Sequence, residues 1–449
     1  MIGLMIAAPR SGSGKTTVTC ALLRTLQKRG LSPCAFKCGP DYIDPMFHRA
    51  VLGVESHNLD LFLSDAACVQ NLYARGSRGH DAVVVEGVMG YYDGLGGNSD
   101  RASSWHVADT LDIPMLLVVR PKGASLTLAA EIKGLLGFRE NSHIAGILLN
   151  ECPQRLCGTL APMLERETGV PVLGCLPPVE AARIESRHLG LRTAGELDDL
   201  HKRLDLLAEA LEAHLNWARF ETLFRREKPA FAEKTATHHG EKIRVAIAID
   251  KVFSFTYDDS LETLRASGAE LVPFSPLSDA ELPDKIGGLY LPGGYPELYA
   301  KALFDNRSMR ESIKIAVQSG LPTVAECGGF LYLGASLCDE RGQEYPMAGV
   351  LPGKAADAGR LVRFGYETLC AEADSLLFRA GERVPVHEFH HWDSEDCGDA
   401  LRVEKGGRSW RCCFASDTLY AGFPHLYFAG HPELAQRFVE AARRYQEGK

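Results

Sequence analysis

Two stretches of the chain carry residue types that do chemistry when a fold positions them. The first is Ala8-Pro9-Arg10-Ser11-Gly12-Ser13-Gly14-Lys15-Thr16-Thr17, after the apolar run Ile2–Ala7 and before the helical pattern Val18–Gln27. Strand, glycine-rich turn and helix start is the context of a phosphate-binding loop. Backbone N–H groups of such a turn and helix N-terminus point at phosphate oxygens. Gly12, Ser13, Gly14 and Thr17 line that cradle, Lys15 supplies a cation for the outer phosphates, and the Thr16 hydroxyl is placed to hold Mg²⁺. Pro9 stands where the first glycine of the usual pattern would be. The second stretch is Leu321-Pro322-Thr323-Val324-Ala325-Glu326-Cys327-Gly328-Gly329-Phe330. It reads as strand, small turn and helix with a thiol at the turn, the cysteine version of a nucleophile elbow. A helix N-terminus favours thiolate. N–H groups at Gly328 and at the Gly293-Gly294 turn suit an oxyanion hole.

Each centre needs companions. Glu86 ends the β-branched run Asp81–Glu86, a buried parallel strand, and an acid at that carboxyl end asks for a metal or cation. It is expected beside Thr16 as a second Mg²⁺ ligand. Asp41 and Asp44, in Gly39-Pro40-Asp41-Tyr42-Ile43-Asp44-Pro45, follow the short strand Cys34–Lys37 and either hold metal or substrate or merely cap turns. Asp60 reads as the N-cap of a following helix. Asn150 closes the strand Ile144–Asn150, where an amide can read a base edge. The thiol needs a base, and spacing leaves two histidine clusters open: His387, His390 and His391, or His425 and His431.

Further apolar runs at Ile113–Val119 and Val170–Leu176 alternate with helical patterns. The first half is therefore an α/β, mainly parallel, doubly wound domain. Leu204–Phe224 reads as one long amphipathic helix. A polar segment over 226–242, including His238-His239, reads as a linker between residues 1–225 and a second α/β domain, 243–449, opened by the strand Ile243–Ile249. A chain of 449 residues holds two or three cores, and a net charge of −9 without basic blocks argues against nucleic acid. No apolar run reaches membrane-spanning length, and 13 scattered cysteines without a CxxC pair fit free thiols in a reducing cytoplasm.

With these residues in place, the chain resembles a known family. The phosphate loop, Lys37–Asp44 and Val85-Glu86-Gly87 look like a dethiobiotin-synthetase-like ATP domain. The second half looks like a class I glutamine amidotransferase domain, of flavodoxin-like α/β fold. Their order, with Pro292-Gly293-Gly294-Tyr295-Pro296-Glu297 and Glu326-Cys327-Gly328-Gly329, is similar to the cobyrinate a,c-diamide synthase family over nearly the whole chain. The resemblance implies a cytoplasmic ligase of cobalamin biosynthesis that uses ATP, Mg²⁺ and L-glutamine to amidate acetate side chains of a tetrapyrrole through an acyl phosphate. It implies Cys327 as nucleophile with His425, Gly294 and Gly328 as oxyanion donors, and Asn150 as an adenine reader. Asp41, Asp44 and Asp93 would lie near phosphates or acetate, Thr16, Asp41 and Glu86 near the metal, and His387 and Glu388 near the tetrapyrrole. Tyr427 holds the place of the glutamate in the His-x-Glu pattern of many class I glutaminases, so the resemblance supplies a Cys–His pair and no third group. Ammonia must reach the acyl phosphate, so a passage or shared interface is expected. Cobyrinate, its cobalt-free hydrogeno form (hydrogenobyrinate) and Ni-sirohydrochlorin all carry paired acetates and stay open as substrates, as does a homodimer. A regulatory P-loop ATPase and a stand-alone thiol hydrolase are the readings from other classes.

Overall fold

A computed structural model describes residues 1–182, 194–230 and 240–448; His238-His239 falls outside them. The chain divides into two compact units, Met1–Ala232 and Glu233–Lys449.

The first unit has strands β1 (Ile2–Ala7), β2 (Pro33–Cys38), β3 (Ser56–Leu59), β4 (Ala82–Glu86), β5 (Met115–Val119), β6 (Ile144–Asn150) and β7 (Val172–Leu176). Its helices are α1 (Lys15–Lys28), α2 (Ile43–Leu52), α3 (Ala66–Gly76), α4 (Ser104–Leu111), α5 (Leu126–Gly137), α6 (Gln154–Thr168), α7 (Ala194–His214) and α8 (Trp217–Phe224). The sheet order is β3-β2-β4-β1-β5-β6-β7, parallel throughout. β2, β4 and β5 are buried along their whole length, which explains their apolar and β-branched character up to Lys37 and Glu86 near the carboxyl ends of β2 and β4. One core joins Leu4, Ile6, Val84 and Val118 of the sheet to Leu22 and Leu26 of α1 and to Leu204, Leu207 and Leu211 of α7. Burying each of those leucines contributes roughly 1.5–3 kcal/mol. Arg24–Asp205 (2.8 Å) and Lys28–Glu209 (2.9 Å) rim the α1–α7 contact and add far less, being open to solvent on one side.

Two local expectations are corrected. Leu204–Phe224 is not one helix. Leu215 bridges antiparallel to Gly174, and Asn216 accepts the Arg219 N–H at 3.1 Å, so the chain stops and restarts as α8. Asp60 does not cap a helix. Its Oδ1 accepts the N–H groups of Phe62 and Leu63 in a turn, and α3 is capped by Asp65, which accepts the Cys68 N–H at 2.7 Å. The residues before Asp60 form β3, an edge strand whose polar Ser-His-Asn sequence hides it.

The second unit has strands β8 (Ile243–Ala248), β9 (Phe253–Phe255), β10 (Ala269–Phe274), β11 (Gly288–Leu291), β12 (Gly293–Gly294), β13 (Thr323–Glu326), β14 (Ser336–Cys338), β15 (Glu344–Pro346), β16 (Lys354–Asp357), β17 (Arg363–Ala371), β18 (Arg383–His390), β19 (Trp392–Ser394), β20 (Leu401–Lys405), β21 (Arg408–Cys412), β22 (Phe414–Ala415) and β23 (Leu419–Gly422). Its helices are α9 (Asp258–Ala266), α10 (Ala300–Asp305), α11 (Arg307–Gln318), α12 (Gly328–Leu333) and α13 (Pro432–Glu447). The main sheet runs β10-β8-β11-β13-β23-β22, parallel except for β22 at its edge. A smaller antiparallel sheet, β18-β17-β20-β21, packs its inner face into the core with Leu369, Val384, Val386 and Val403. β20 and β21 join through Gly406-Gly407, both at positive φ (55° and 79°), the pair that a two-residue hairpin turn needs.

Candidate active sites

In the first unit the phosphate loop leaves β1 and enters α1 at Gly14, whose φ of +89° only glycine adopts cheaply. The N-cap has no side-chain acceptor, and the first-turn N–H groups of Lys15, Thr16 and Thr17 lack intrahelical acceptors by the geometry of a helix start. A Cβ on Gly14 would lie 2.0 Å from Asn150 Nδ2. Asn150 is buried at the end of β6 and donates to the Ser13 carbonyl at 2.9 Å, so the structure brings it to the loop itself. Gly12 is exposed at a φ of +77°. Across the loop, Tyr91 N–H donates to the Ala8 carbonyl (2.9 Å), and Lys15 Nζ donates to the Met89 carbonyl (2.5 Å). Asp93 is exposed, accepts the Gly90 N–H at 2.9 Å and lies within electrostatic reach of Lys15.

Behind the loop lies a buried charge cluster. Thr16 Oγ1 donates to Glu86 Oε1 at 2.6 Å. Lys37, at the end of β2, donates to the same oxygen at 2.8 Å and pairs with Asp44 Oδ2 at 2.5 Å. From sequence Lys37 reads only as part of a strand; its signal is a cation placed directly before Gly39-Pro40-Asp41, in register with Glu86. Burial pushes Glu86 up to about 7 despite Lys37. Burial would also raise Asp44, but the Lys37 ammonium holds it below the ordinary carboxylate range. Asp41 is pushed up to about 6 by burial and by Asp44, and its Oδ1 accepts the Ile43 N–H at 2.8 Å, so it also serves the start of α2. Lys15 is drawn down to about 8 by burial and by Lys37.

The donor set fits a hard divalent cation. Thr16, Glu86 and Asp41 offer oxygens alone, and Glu86 Oε2 is buried with no hydrogen-bond partner among the described residues. No ready-made cage of three or more His, Cys, Asp or Glu residues exists among those residues. This is the pattern of Mg²⁺ held by one or two protein groups together with substrate phosphates.

In the second unit β13 ends at Glu326, and Cys327 turns the chain into α12 with φ 45° and ψ −104°. A β-carbon at φ > 0 is strained, and the neighbours enforce the strain. Cys327 N–H donates to the Gly422 carbonyl at 2.7 Å. A Cβ on Gly329 would sit 2.1 Å from the Leu291 carbonyl oxygen, and one on Gly328 would sit 2.8 Å from Gly294 N. Gly294 in turn faces the Val252 carbonyl oxygen, which a Cβ would approach to 1.6 Å. Glycine at these positions lets two backbone segments meet beside the thiol. A Cβ on Gly293 would lie 2.5 Å from His425 Cε1, so the imidazole flanks the same turn.

Of the two histidine clusters, the structure brings His425 to Cys327. The thiol and the imidazole lie within electrostatic reach of each other. Burial alone would lower the His425 pKa; Cys327 and Glu326 outweigh it and hold it up to about 10. His390 is engaged elsewhere, 2.7 Å from Glu388 Oε1 and stacked on Phe423 at 3.6 Å, and His431 pairs with Glu433. His387 touches His425 through backbone pairing: His425 N–H donates to the His387 carbonyl at 2.8 Å.

His387 and Glu388 separate. Strand alternation sets His387 of β18 on the same face of the sheet as Phe364 and Tyr366 of β17. Glu388 faces inward, fully buried, paired with His390 and with Arg363 (3.2 Å). The Glu388 carboxylate, expected near the tetrapyrrole, is thus placed in the interior between His390 and Arg363, while the His387 ring lies on the other face. Sequence reasoning gives Glu326 no role of its own. The structure sets it beside His425, yet it precedes the nucleophile rather than following the histidine.

A phosphate-loop unit joined in one chain to a thiol-elbow unit is the organisation of nucleotide-dependent glutamine amidotransferases. Residues 4–191 match the CobQ/CobB/MinD/ParA nucleotide-binding domain, and residues 244–432 match the CobB/CobQ-like glutamine amidotransferase domain. The cobyrinate a,c-diamide synthase of Listeria innocua is 37% identical over 98% of this chain and 99% of its own length. That of a Synechococcus strain is 37% identical over 99% of both chains, and that of Salmonella typhimurium 37% over 98% of both. The chain belongs to the cobyrinate a,c-diamide synthase family.

Proposed function

We propose that this protein converts the a and c acetate carboxylates of cobyrinic acid to amides, using ATP and L-glutamine. The observation that carries the reading is the pairing, in one chain, of Cys327–His425 with the Lys15–Thr16–Glu86–Lys37 cluster. In the second unit the Cys327 thiolate attacks the side-chain amide carbon of glutamine. The tetrahedral oxyanion lies against N–H groups of Gly294 and Gly328. His425, protonated, gives its proton to the departing ammonia, and water then releases glutamate from the thioester. In the first unit a substrate carboxylate takes the γ-phosphoryl group of ATP, because hydroxide is a poor leaving group and phosphate a good one. Ammonia attacks the acyl phosphate and phosphate departs. Lys15 and the loop N–H groups hold the phosphates, and Asp41 and Asp93 lie where an acetate or its phosphate would be met. When bound at Thr16 and Glu86, Mg²⁺ supplies charge neutralisation at the phosphates. The 13 cysteines, all outside disulfides, support a reducing, cytoplasmic setting. No helix among the described residues is long and apolar enough to cross a membrane.

The test is mass spectrometry of the product after incubation with ATP, Mg²⁺ and amide-labelled glutamine, with cobyrinate, hydrogenobyrinate and Ni-sirohydrochlorin offered separately. Two labelled amides on cobyrinate, absent in Cys327→Ala and restored there by free ammonia, is the expected result. Amidation of another tetrapyrrole alone would reassign the substrate. ATP hydrolysis without any amide would return the regulatory-ATPase reading.

A further inference from the structure

We propose that Glu326, the residue immediately before the nucleophile, is the positioning acid of the glutaminase site, completing a Cys327–His425–Glu326 triad whose acid comes from the nucleophile's own strand. The inference rests on the glutaminase reading above. Glu326 is 1% exposed, and both carboxylate oxygens face the histidine segment. Oε1 accepts the N–H of Leu426, the residue after His425, at 3.0 Å. Oε2 accepts the Tyr290 hydroxyl at 3.0 Å and lies 3.8 Å from His425 Nδ1. A buried carboxylate with one backbone donor and one phenol is expensive unless a cation faces it. An imidazolium at His425 is that cation. The 3.8 Å gap suits a resting site, where such bonds are long and tighten as the histidine takes up charge.

Adjacent residues of an extended strand point to opposite faces, so Glu326 and Cys327 should not reach one imidazole. The elbow, with its φ of +45° at Cys327, removes that restriction. Two residues beyond His425, Tyr427 is fully buried and packed edge-on against Tyr257 (5.0 Å, 87°), and it offers no carboxylate. The titratable groups around His425 are Cys327, Glu326, Tyr290 behind Glu326, and His387 across the backbone bridge. Burial and His425 push His387 down to about 3, so the positive charge sits on His425.

The test compares the full-length protein with Glu326→Gln and Glu326→Asp. The amide keeps an acceptor for the Leu426 N–H and loses the charge; aspartate keeps the charge. Glutamine-dependent turnover, ammonia-dependent turnover and the pH profile of glutamine kcat/KM are measured. Glu326→Gln is expected to lower glutamine-dependent kcat about 100-fold, the lower end of what a positioned acid–base group contributes. KM for glutamine should hold within about 3-fold and ammonia-dependent turnover within about 2-fold, which also shows that the variant folds. Removing an anion that retains the imidazolium proton moves the alkaline limb of the profile to lower pH, by at least about one unit. Glu326→Asp should keep that limb in place. An unmoved limb in Glu326→Gln, or equal damage by both variants, would reduce Glu326 to a structural staple and overturn the inference. If the wild-type protein makes no amide from glutamine, the proposed function fails instead.

Discussion

Replacing Lys37 by methionine isolates the charge balance behind the phosphate loop. The lysine is 5% exposed at its side chain and lies 2.5 Å from Asp44 and 2.8 Å from Glu86. Methionine fills most of the volume and leaves the Asp44 anion buried without its cation, beside a Glu86 that burial already holds largely neutral below pH 7. Breaking a buried pair from one side costs about 3–5 kcal/mol. A second route gives a ceiling: the variant can protonate Asp44 instead. At pH 7, roughly three pH units above the ordinary value of 3.8, that costs about 4 kcal/mol, at about 1.4 kcal/mol per unit. The two routes agree, and the second fixes the sign of the pH dependence. The native variant binds one more proton, at Asp44, than its own unfolded state, so its deficit grows as pH rises, from about 3 kcal/mol at pH 6 to about 4 at pH 7. Hydrogen exchange of the β2 and β4 amides, corrected for intrinsic rates, reads this unit separately from the second. A deficit below about 1 kcal/mol, or one that does not change with pH, would refute the reasoning.

Other outcomes follow from the same geometry. Mg²⁺–ATP binding should release protons near pH 6.5, where Glu86 (about 7) is mostly neutral until a cation binds. Binding should take up protons near pH 8.5, where Lys15 (about 8) is mostly neutral until phosphates favour its charge. Calorimetry in buffers of different ionisation enthalpy measures both, and one sign at both pH values would count against the assignment. Gly14→Ala combines an L-residue at φ +89° with displacement of Asn150 from Ser13. At about 2–3 kcal/mol, ATP affinity should fall roughly 30- to 150-fold, while Asn150→Ala, losing about 1 kcal/mol of hydrogen bonding, falls only about 5-fold. Cys327→Gly should abolish glutamine-dependent amidation yet raise the stability of its unit by about 1 kcal/mol in urea unfolding, because relief of backbone strain exceeds the added chain entropy.

Residues that announce themselves locally were legible in the sequence. Ile2–Ala7 before a glycine-rich turn, Ala82–Glu86 ending in an acid, and Thr323–Glu326 before Cys-Gly-Gly each joined a hydrophobic run to a break that only one connection satisfies. Elements stabilised by partners distant in sequence were hidden. β3 is an edge strand of polar residues, and the break at Asn216 depends on Gly174 across the unit. The short strands β14, β15, β16 and β19, three or four residues each, carry little periodicity of their own. The sites divide the same way. Thr16 and Glu86 could be paired from strand order, but Lys37 and Glu326 became visible only when long-range contacts gave each its neighbours. The family resemblance set His387 and Glu388 together near the tetrapyrrole, and the two-residue period of β18 turns their side chains to opposite faces.

The Gly406-Gly407 turn has a practical use. Both glycines are exposed, a β-carbon added to either would meet no atom within 4 Å, and β20 and β21 are in register on either side. An affinity tag or fluorescent label inserted there adds chain to a hairpin tip, where loop lengthening is cheap. The run Phe423–Phe428 offers the opposite case. It too lies outside helix and strand, yet every residue in it is buried and its backbone is tied to Glu326, His387 and Ser260. In this protein irregular backbone is therefore no guide to where the chain can be opened for engineering.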